Sequence, residues 1–185
     1  IGVPKTIDGD LKNQEIEVSF GFDSACKTFS EIIGNIMRDT LSAKKYTYFI
    51  KLMGRSASHI TLECALQTHP NLALISEEIA AQNKTLKGIT QEVCDLICAR
   101  SERGKDYGVI LIPEGVIEFI PEFKVLIDEL NTLLAPDQPH SAAIDEVASK
   151  EKKSAYIAKL LTAESKECFQ QIPLEIQAQL LIGRD

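Results

Sequence analysis

A stretch near the amino end, Pro4-Lys5-Thr6-Ile7-Asp8-Gly9-Asp10, gathers a lysine, a hydroxyl and two carboxylates within six residues of loop. Asp8 and Asp10 stand at i and i+2 around Gly9. That spacing suits aiming one carboxylate at a substrate hydroxyl and the other at a metal–phosphate group. A general base for an alcohol must reach its proton within hydrogen-bond distance and stay anionic near neutral pH. Lys5 favours the anionic form and suits stabilising charge on a transferring phosphoryl group. The same residues also compose an ordinary Asx turn with a surface ion pair.

Two further groups stand beside short apolar runs. In Lys51-Leu52-Met53-Gly54-Arg55-Ser56, the glycine lets the backbone approach a ligand closely and Arg55 suits a bidentate grip on a sugar phosphate or carboxylate. A helix-start arginine in a solvated ion pair fits the same residues. In Ile112-Pro113-Glu114-Gly115, Glu114 suits accepting hydrogen bonds from sugar hydroxyls, or sits in a plain acidic turn. His59, His69 and His140 are scattered and none has metal-ligand spacing with a cysteine; His59 reads as packed or solvated. Cys94 and Cys98, at i and i+4, read as small buried residues rather than a zinc or redox pair. Glu77-Glu78 and Glu102-Arg103 read as solvated faces. Nucleophile-elbow, Walker A, HExxH and GxGxxG patterns are absent.

The elements that must position these groups alternate. Phe22, Ala25, Cys26, Phe29, Ile32, Ile33, Ile36 and Met37 predict a helix over about 19–41. Tyr46 to Met53 predicts a strand, and Ile60, Leu62, Ala65 and Leu66 a helix ending near Pro70. Leu72 to Ser76 predicts another strand, followed by a helix opened by Thr90 that carries Val93, Leu96 and Ile97. Tyr107 to Ile112 predicts a third strand, and Phe123, Leu126, Ile127, Leu130, Leu133 and Leu134 the next helix. Apolar strands each followed by a helix imply an α/β fold with a mostly parallel sheet and helices on both faces. Ligands bind at the carboxyl ends of such strands. The three chemical groups stand at such ends, after Ile1–Val3, after Met53 and after Ile112. From about Ala135 the character changes, with Pro136, Pro139, Ser141 and a charged run, and with Tyr156, Ile157, Leu160 and Leu161 as a buried stripe. The expected organisation is an α/β portion over 1–134 and a helical insertion or appendage over 135–185.

Composition narrows the classes. The 185 residues carry 20 basic and 27 acidic side chains, a formal charge of −7, which disfavours a nucleic-acid or anionic-membrane surface. With 44% hydrophobic residues the chain can fill a sizeable core, and no apolar run approaches the roughly 20 residues of a membrane span. Five cysteines without a CxxC read as reduced thiols, hence a cytoplasmic location. The chain begins Ile1-Gly2-Val3 and reads as an internal piece of something larger.

The order of the three groups, Pro4–Asp10, then Met53-Gly54-Arg55, then Pro113-Glu114-Gly115, resembles the 6-phosphofructokinase family, and the PKTIDGD form resembles its pyrophosphate-dependent branch. Phe20-Gly21-Phe22-Asp23-Ser24-Ala25 is similar to the FGFDTA start of that family's next helix, with Ser24 in place of threonine. The resemblance implies phosphoryl transfer from pyrophosphate to the 1-hydroxyl of fructose 6-phosphate. It implies Asp8 as the base, Lys5 as the transition-state cation and Asp10 near the metal–pyrophosphate group. Thr6, Ile7, Asp8, Met53, Gly54, Arg55 and Glu114 would line the sugar-phosphate site. Lys45 and Tyr46 would reach the substrate of a neighbouring subunit, so a homodimer is expected. Mg²⁺ is implied as the metal, its main ligands lying in a glycine-rich amino-terminal part that this sequence lacks. The later tyrosine–arginine sugar-phosphate element has no counterpart either, since the sequence ends at Gly183-Arg184-Asp185. The piece alone is therefore expected to be inactive, and a non-catalytic sugar-phosphate-binding domain is the rival reading. Some ATP-dependent relatives also carry PKTIDxD, usually with asparagine where Gly9 stands, which keeps ATP as the alternative donor.

Overall fold

A computed structural model of the chain describes residues 2, 5–9, 11, 13–135 and 149–182. Asp10, His140, Gly183 and the expected loop with Pro136, Pro139 and Ser141 lie outside the described residues, as do Ile1 and Val3 of the first expected strand. The chain forms two compact units, Ile1–Ile120 and Pro121–Asp185.

In the first unit, helix α1 (Phe22–Ala43) buries Cys26, Ser30, Ile33 and Thr40, a helical spacing that puts them on one face. It begins later than periodicity predicts. The Ser19 hydroxyl donates to the Thr6 carbonyl instead of joining a helix, and Gly21, with φ 89°, turns the chain just before Phe22. Strand β1 (Thr47–Leu52) follows, then α2 (His59–Thr68), β2 (Leu72–Ala73), α3 (Ser76–Ala81), α4 (Leu86–Ser101) and β3 (Gly108–Pro113).

The three strands make one parallel sheet in the order β1-β3-β2. β1 and β3 pair from Thr47↔Gly108 to Leu52↔Pro113, whereas β2 pairs only through Leu72↔Ile110 and Ala73↔Leu111. The central strand is buried on both faces, as its unbroken apolar run implies. Val109 and Leu111 join Cys26, Ile33, Leu52, Ile60 and Cys64 in the core beneath α1 and α2. Ile110 faces the other side, where Leu96 and Ile97 of α4 wall a cavity with it. Each such fully buried aliphatic side chain contributes about 1.5–3 kcal/mol. Helices on both faces of a parallel sheet are thus as predicted.

Several local expectations are corrected. β2 spans two residues rather than running to Ser76, because Ser76 already opens α3 and its amide donates to the Ser58 hydroxyl at 2.9 Å. α4 is capped by Thr85, whose hydroxyl accepts from the Gly88 amide at 3.1 Å. Thr90 sits inside that helix and bonds back to the Leu86 carbonyl at 2.9 Å. Cys94 and Cys98 are exposed rather than buried. Cys26 and Cys64 are the core thiols, and burial, reinforced by the neighbouring Cys64, Glu63 and Asp23, pushes Cys26 up to about 12. It stays a neutral filler at any physiological pH.

A 3-10 helix over Glu114–Phe119 closes the first unit. The second contains α5 (Pro121–Leu133), α6 (Lys150–Ile157), α7 (Ala163–Gln171) and α8 (Leu174–Ile182). α5 buries Phe123, Leu126 and Leu130 and packs against α7, whose Phe169 is fully buried. Its Glu129 carboxylate accepts the amide (2.6 Å) and the hydroxyl (2.9 Å) of Thr162 at the start of α7. Packing therefore puts α5 in the second unit, although the change of composition comes only after residue 134. Of the expected stripe, Ile157 and Leu161 are buried, while Tyr156 and Leu160 are half-buried because the helix ends at Ile157. Among the described residues no helix is long and apolar enough to cross a membrane.

Candidate functional site

The loop over residues 5–9 is built by short-range bonds and pinned by its apolar member. The Asp8 amide donates to the Thr6 hydroxyl at 3.2 Å, so the threonine side chain helps to make the turn. Ile7 packs on the core cluster, its Cγ2 lying 3.1 Å from where a Cβ on Gly21 would stand. Gly9 has φ 79°, and its face lies against Phe22 and His59. Thr6, Ile7, Asp8 and Gly9 are half-buried and Lys5 is exposed. Among the described residues neither Asp8 nor Lys5 forms an ion pair.

At the far end of the sheet from the strands' starts, register does the assembling. Leu52 is the partner of Pro113, so Met53-Gly54-Arg55 and Glu114-Gly115 leave the sheet side by side. The Gly115 amide donates to the Gly54 carbonyl at 2.8 Å. A methyl on Gly115 would overlap the Arg55 carbonyl oxygen and come within 2.6 Å of its carbon, so only glycine permits this approach. Gly54, at φ 132°, folds back on the Ala57 carbonyl. Glu114 opens the 3-10 helix rather than an open turn, and its carboxylate lies 3.5 Å from Lys51 Nζ. Both groups are largely exposed, so the pair is worth at most about 1 kcal/mol and yields easily to a ligand. Lys51 was not expected here. Its signal was the strand itself, which ends with Lys51 one step before the partner of Pro113.

The loop after β1 is also tied to α3. Glu77 Oε1 accepts the Ser58 amide at 2.9 Å, and the Ser58 hydroxyl accepts the Ser76 amide at 2.9 Å. Glu77, Glu78 and the Glu102-Arg103 pair are exposed as expected, but Glu77 also holds a loop amide through its carboxylate, which the reading as a solvated face did not include. Partial burial works to raise the Glu77 carboxyl, but the Ser58 amide, its own amide, the Ser58 hydroxyl and the nearby His59 outweigh it and hold it below the ordinary range. No sequence signal pointed to this residue. His59, the first residue of α2, is exposed and borders a groove of about 370 Å³ with Gly9, Phe22, Leu62 and Leu66. The Asp8 loop therefore abuts the helix that begins just after Arg55.

Lys45 and Tyr46 stand apart from this group. They precede β1, so a six-residue strand, roughly 20 Å at about 3.3 Å per residue, separates them from Met53. The Tyr46 carbonyl accepts the Gly108 amide at 3.1 Å, Lys45 Nζ lies 5.9 Å from the Tyr46 ring centre, and Tyr46 meets Tyr48 edge to face. Among the described residues no group of three or more histidine, cysteine, aspartate or glutamate side chains is placed to hold a metal ion.

A parallel sheet covered by helices, with Arg55 following one strand and Glu114, paired to Lys51, following its neighbour, places the chain in the α/β class. A family model described as Phosphofructokinase matches residues 1–177, and the chain belongs to the phosphofructokinase family. It is 56% identical, over its whole length, to a pyrophosphate–fructose 6-phosphate 1-phosphotransferase of Treponema pallidum (strain Nichols), covering 32% of that protein. It is 55% identical over its whole length to the subunit beta of the Solanum tuberosum protein of that name, covering 30% of it. To the Solanum tuberosum subunit alpha it is 45% identical over 98% of the chain, covering 27% of that subunit. The chain thus spans about a third of the length of these relatives.

Proposed function

We propose that this chain is the sugar-phosphate-binding part of a cytoplasmic, pyrophosphate-dependent phosphofructokinase. The whole protein transfers a phosphoryl group from pyrophosphate to the 1-hydroxyl of fructose 6-phosphate, giving fructose 1,6-bisphosphate and phosphate. The observation that carries this reading is the Leu52↔Pro113 register, which sets Arg55 and Glu114 side by side at one sheet edge. The names of the relatives support the donor and the sugar.

In this reading Asp8 removes the proton of the 1-hydroxyl as its oxygen attacks phosphorus, and Lys5 offsets the charge that builds on the transferring group. Arg55 grips the sugar phosphate, Glu114 accepts from sugar hydroxyls, and Thr6, Ile7, Met53 and Gly54 complete the walls. Mg²⁺ would neutralise charge on pyrophosphate. Among the described residues no group of three carboxylate, histidine or cysteine side chains fits such an ion, and in this reading its main ligands are assigned to other parts of the whole protein, with Asp10 nearby. Lys45 and Tyr46, at the opposite end of β1, are too far to serve the same site and are assigned to a neighbouring subunit's substrate. The chain alone, a third of the relatives' length, is expected to bind sugar phosphate without turning it over.

The test is a coupled assay on the full-length protein with pyrophosphate or ATP as donor. Turnover with pyrophosphate is expected; turnover with ATP alone would overturn the donor, and turnover with neither would overturn the function. Lys5→Met is expected to lower kcat with pyrophosphate by about 10²–10³, the usual cost of losing one transition-state charge contact, with KM for fructose 6-phosphate little changed. Unchanged pyrophosphate kinetics would remove Lys5 from this role.

A further inference from the structure

We propose that Glu77 is a positioning residue for sugar-phosphate binding: by holding the Ser58 amide it fixes the Gly54–Ser58 loop and so aims Arg55, without itself touching substrate. The inference rests on the functional reading above and adds a residue to it.

Contacts at both ends of that loop hold its backbone. The Gly54 carbonyl is held by the Gly115 amide, the Arg55 carbonyl rests on the bare face of Gly115, and the loop's last amide, Ser58, is held by Glu77. The first two tie the loop to β3's end; Glu77 is its anchor on the other side. Ser58 occupies the cap position of α2 yet makes no side-chain cap bond to that helix. Its hydroxyl instead accepts the Ser76 amide, which opens α3. The two helix starts therefore exchange bonds: Ser58 serves α3, and Glu77 of α3 serves Ser58. α3 also packs on the 3-10 helix that begins with Glu114. One short helix thus braces both loops that present polar groups at the sheet edge. The low-set Glu77 carboxyl agrees with a charged acceptor held in this exchange.

The test compares Glu77→Ala and Glu77→Gln in the full-length protein, because glutamine keeps an acceptor oxygen while alanine does not. Glu77→Ala is expected to raise KM for fructose 6-phosphate about tenfold, the scale of one lost bond to a charged acceptor, with kcat and KM for pyrophosphate within about threefold. Glu77→Gln is expected to recover most of that loss. Hydrogen exchange, read without substrate, should speed up over residues 54–59 in Glu77→Ala and stay slow over Gly108–Pro113. Ser58→Gly, which removes the reciprocal acceptor, should raise the same KM and add little to Glu77→Ala. An unchanged KM in Glu77→Ala, or a glutamine variant as poor as alanine, would overturn the inference. Protection lost across the whole first unit would reduce Glu77 to a general stabilising role and overturn it too. Should wild-type protein bind no fructose 6-phosphate by calorimetry, the functional reading falls instead.

Discussion

Replacing Asp8 with alanine in the full-length protein is expected to lower kcat by about 10²–10⁴ while KM for fructose 6-phosphate stays within a few-fold. The expected magnitude is that of a positioned general base. The asymmetry between kcat and KM follows from the loop's construction. Among the described residues the turn is held by the Thr6 hydroxyl and by Ile7 in the core, and both contacts remain when the Asp8 carboxylate is removed. Only the oxygen that accepts the proton is lost. Thr6→Ala makes the converse case: it removes the acceptor for the Asp8 amide and loosens the loop, so both KM and kcat should suffer. Near-normal turnover in Asp8→Ala would remove Asp8 as the base and require another acceptor at the hydroxyl.

Much of the scaffold was legible because its cause is local. Val109-Ile110-Leu111 is an unbroken apolar run, and such a run can only be satisfied by cover on both faces. The helical spacing of Cys26, Ile33 and Met37 likewise needs no knowledge of what lies beneath it. What failed depended on choices between near-equivalent residues or on distant partners. Thr85 and Thr90 both suit a helix start, and the weak apolar pattern before Ile89 does not say which turn comes first. Cys94 and Cys98 have the composition of a buried face, but cover is a property of the neighbours, and α4 turns those two outward.

The candidate site divides in the same way. Gly54, Arg55, Glu114 and Gly115 could be picked out as residues at strand ends, since a strand, a glycine and a polar residue are contiguous in sequence. Their mutual approach could not, because it arises from the parallel register of β1 and β3, set by residues more than fifty positions apart. Glu77 gave no sign at all. Its partner lies nineteen residues away, and an acidic residue in the first turn of a helix is ordinarily explained by the helix dipole alone. Positions that act by holding another loop leave a trace in the folded geometry, not in the residue type.

Gly115→Ala is expected to be the most damaging alanine substitution among the described glycines, since its added methyl makes the shortest contact. The added carbon would overlap the Arg55 carbonyl oxygen and stand 2.9 Å from the Arg55 Cα, and the three nearest atoms it meets are backbone. No rotamer change relieves such a clash. The Gly54–Ser58 loop must move outward, and the Gly115 amide then loses the Gly54 carbonyl. Overpacking of this kind costs about 1–3 kcal/mol and the lost hydrogen bond about 1 more. The displaced loop carries Arg55, so affinity for fructose 6-phosphate should fall at least tenfold together with stability. Gly34→Ala supplies the control, since a methyl there points into open space within α1 and should stabilise by about 0.5–1 kcal/mol. The same chemical change thus has opposite signs at two glycines, and thermal unfolding with sugar-phosphate titration reads both. A Gly115→Ala protein with wild-type melting and affinity would mean that the two loops do not meet as described, and with them would go the shared edge on which Arg55 and Glu114 depend.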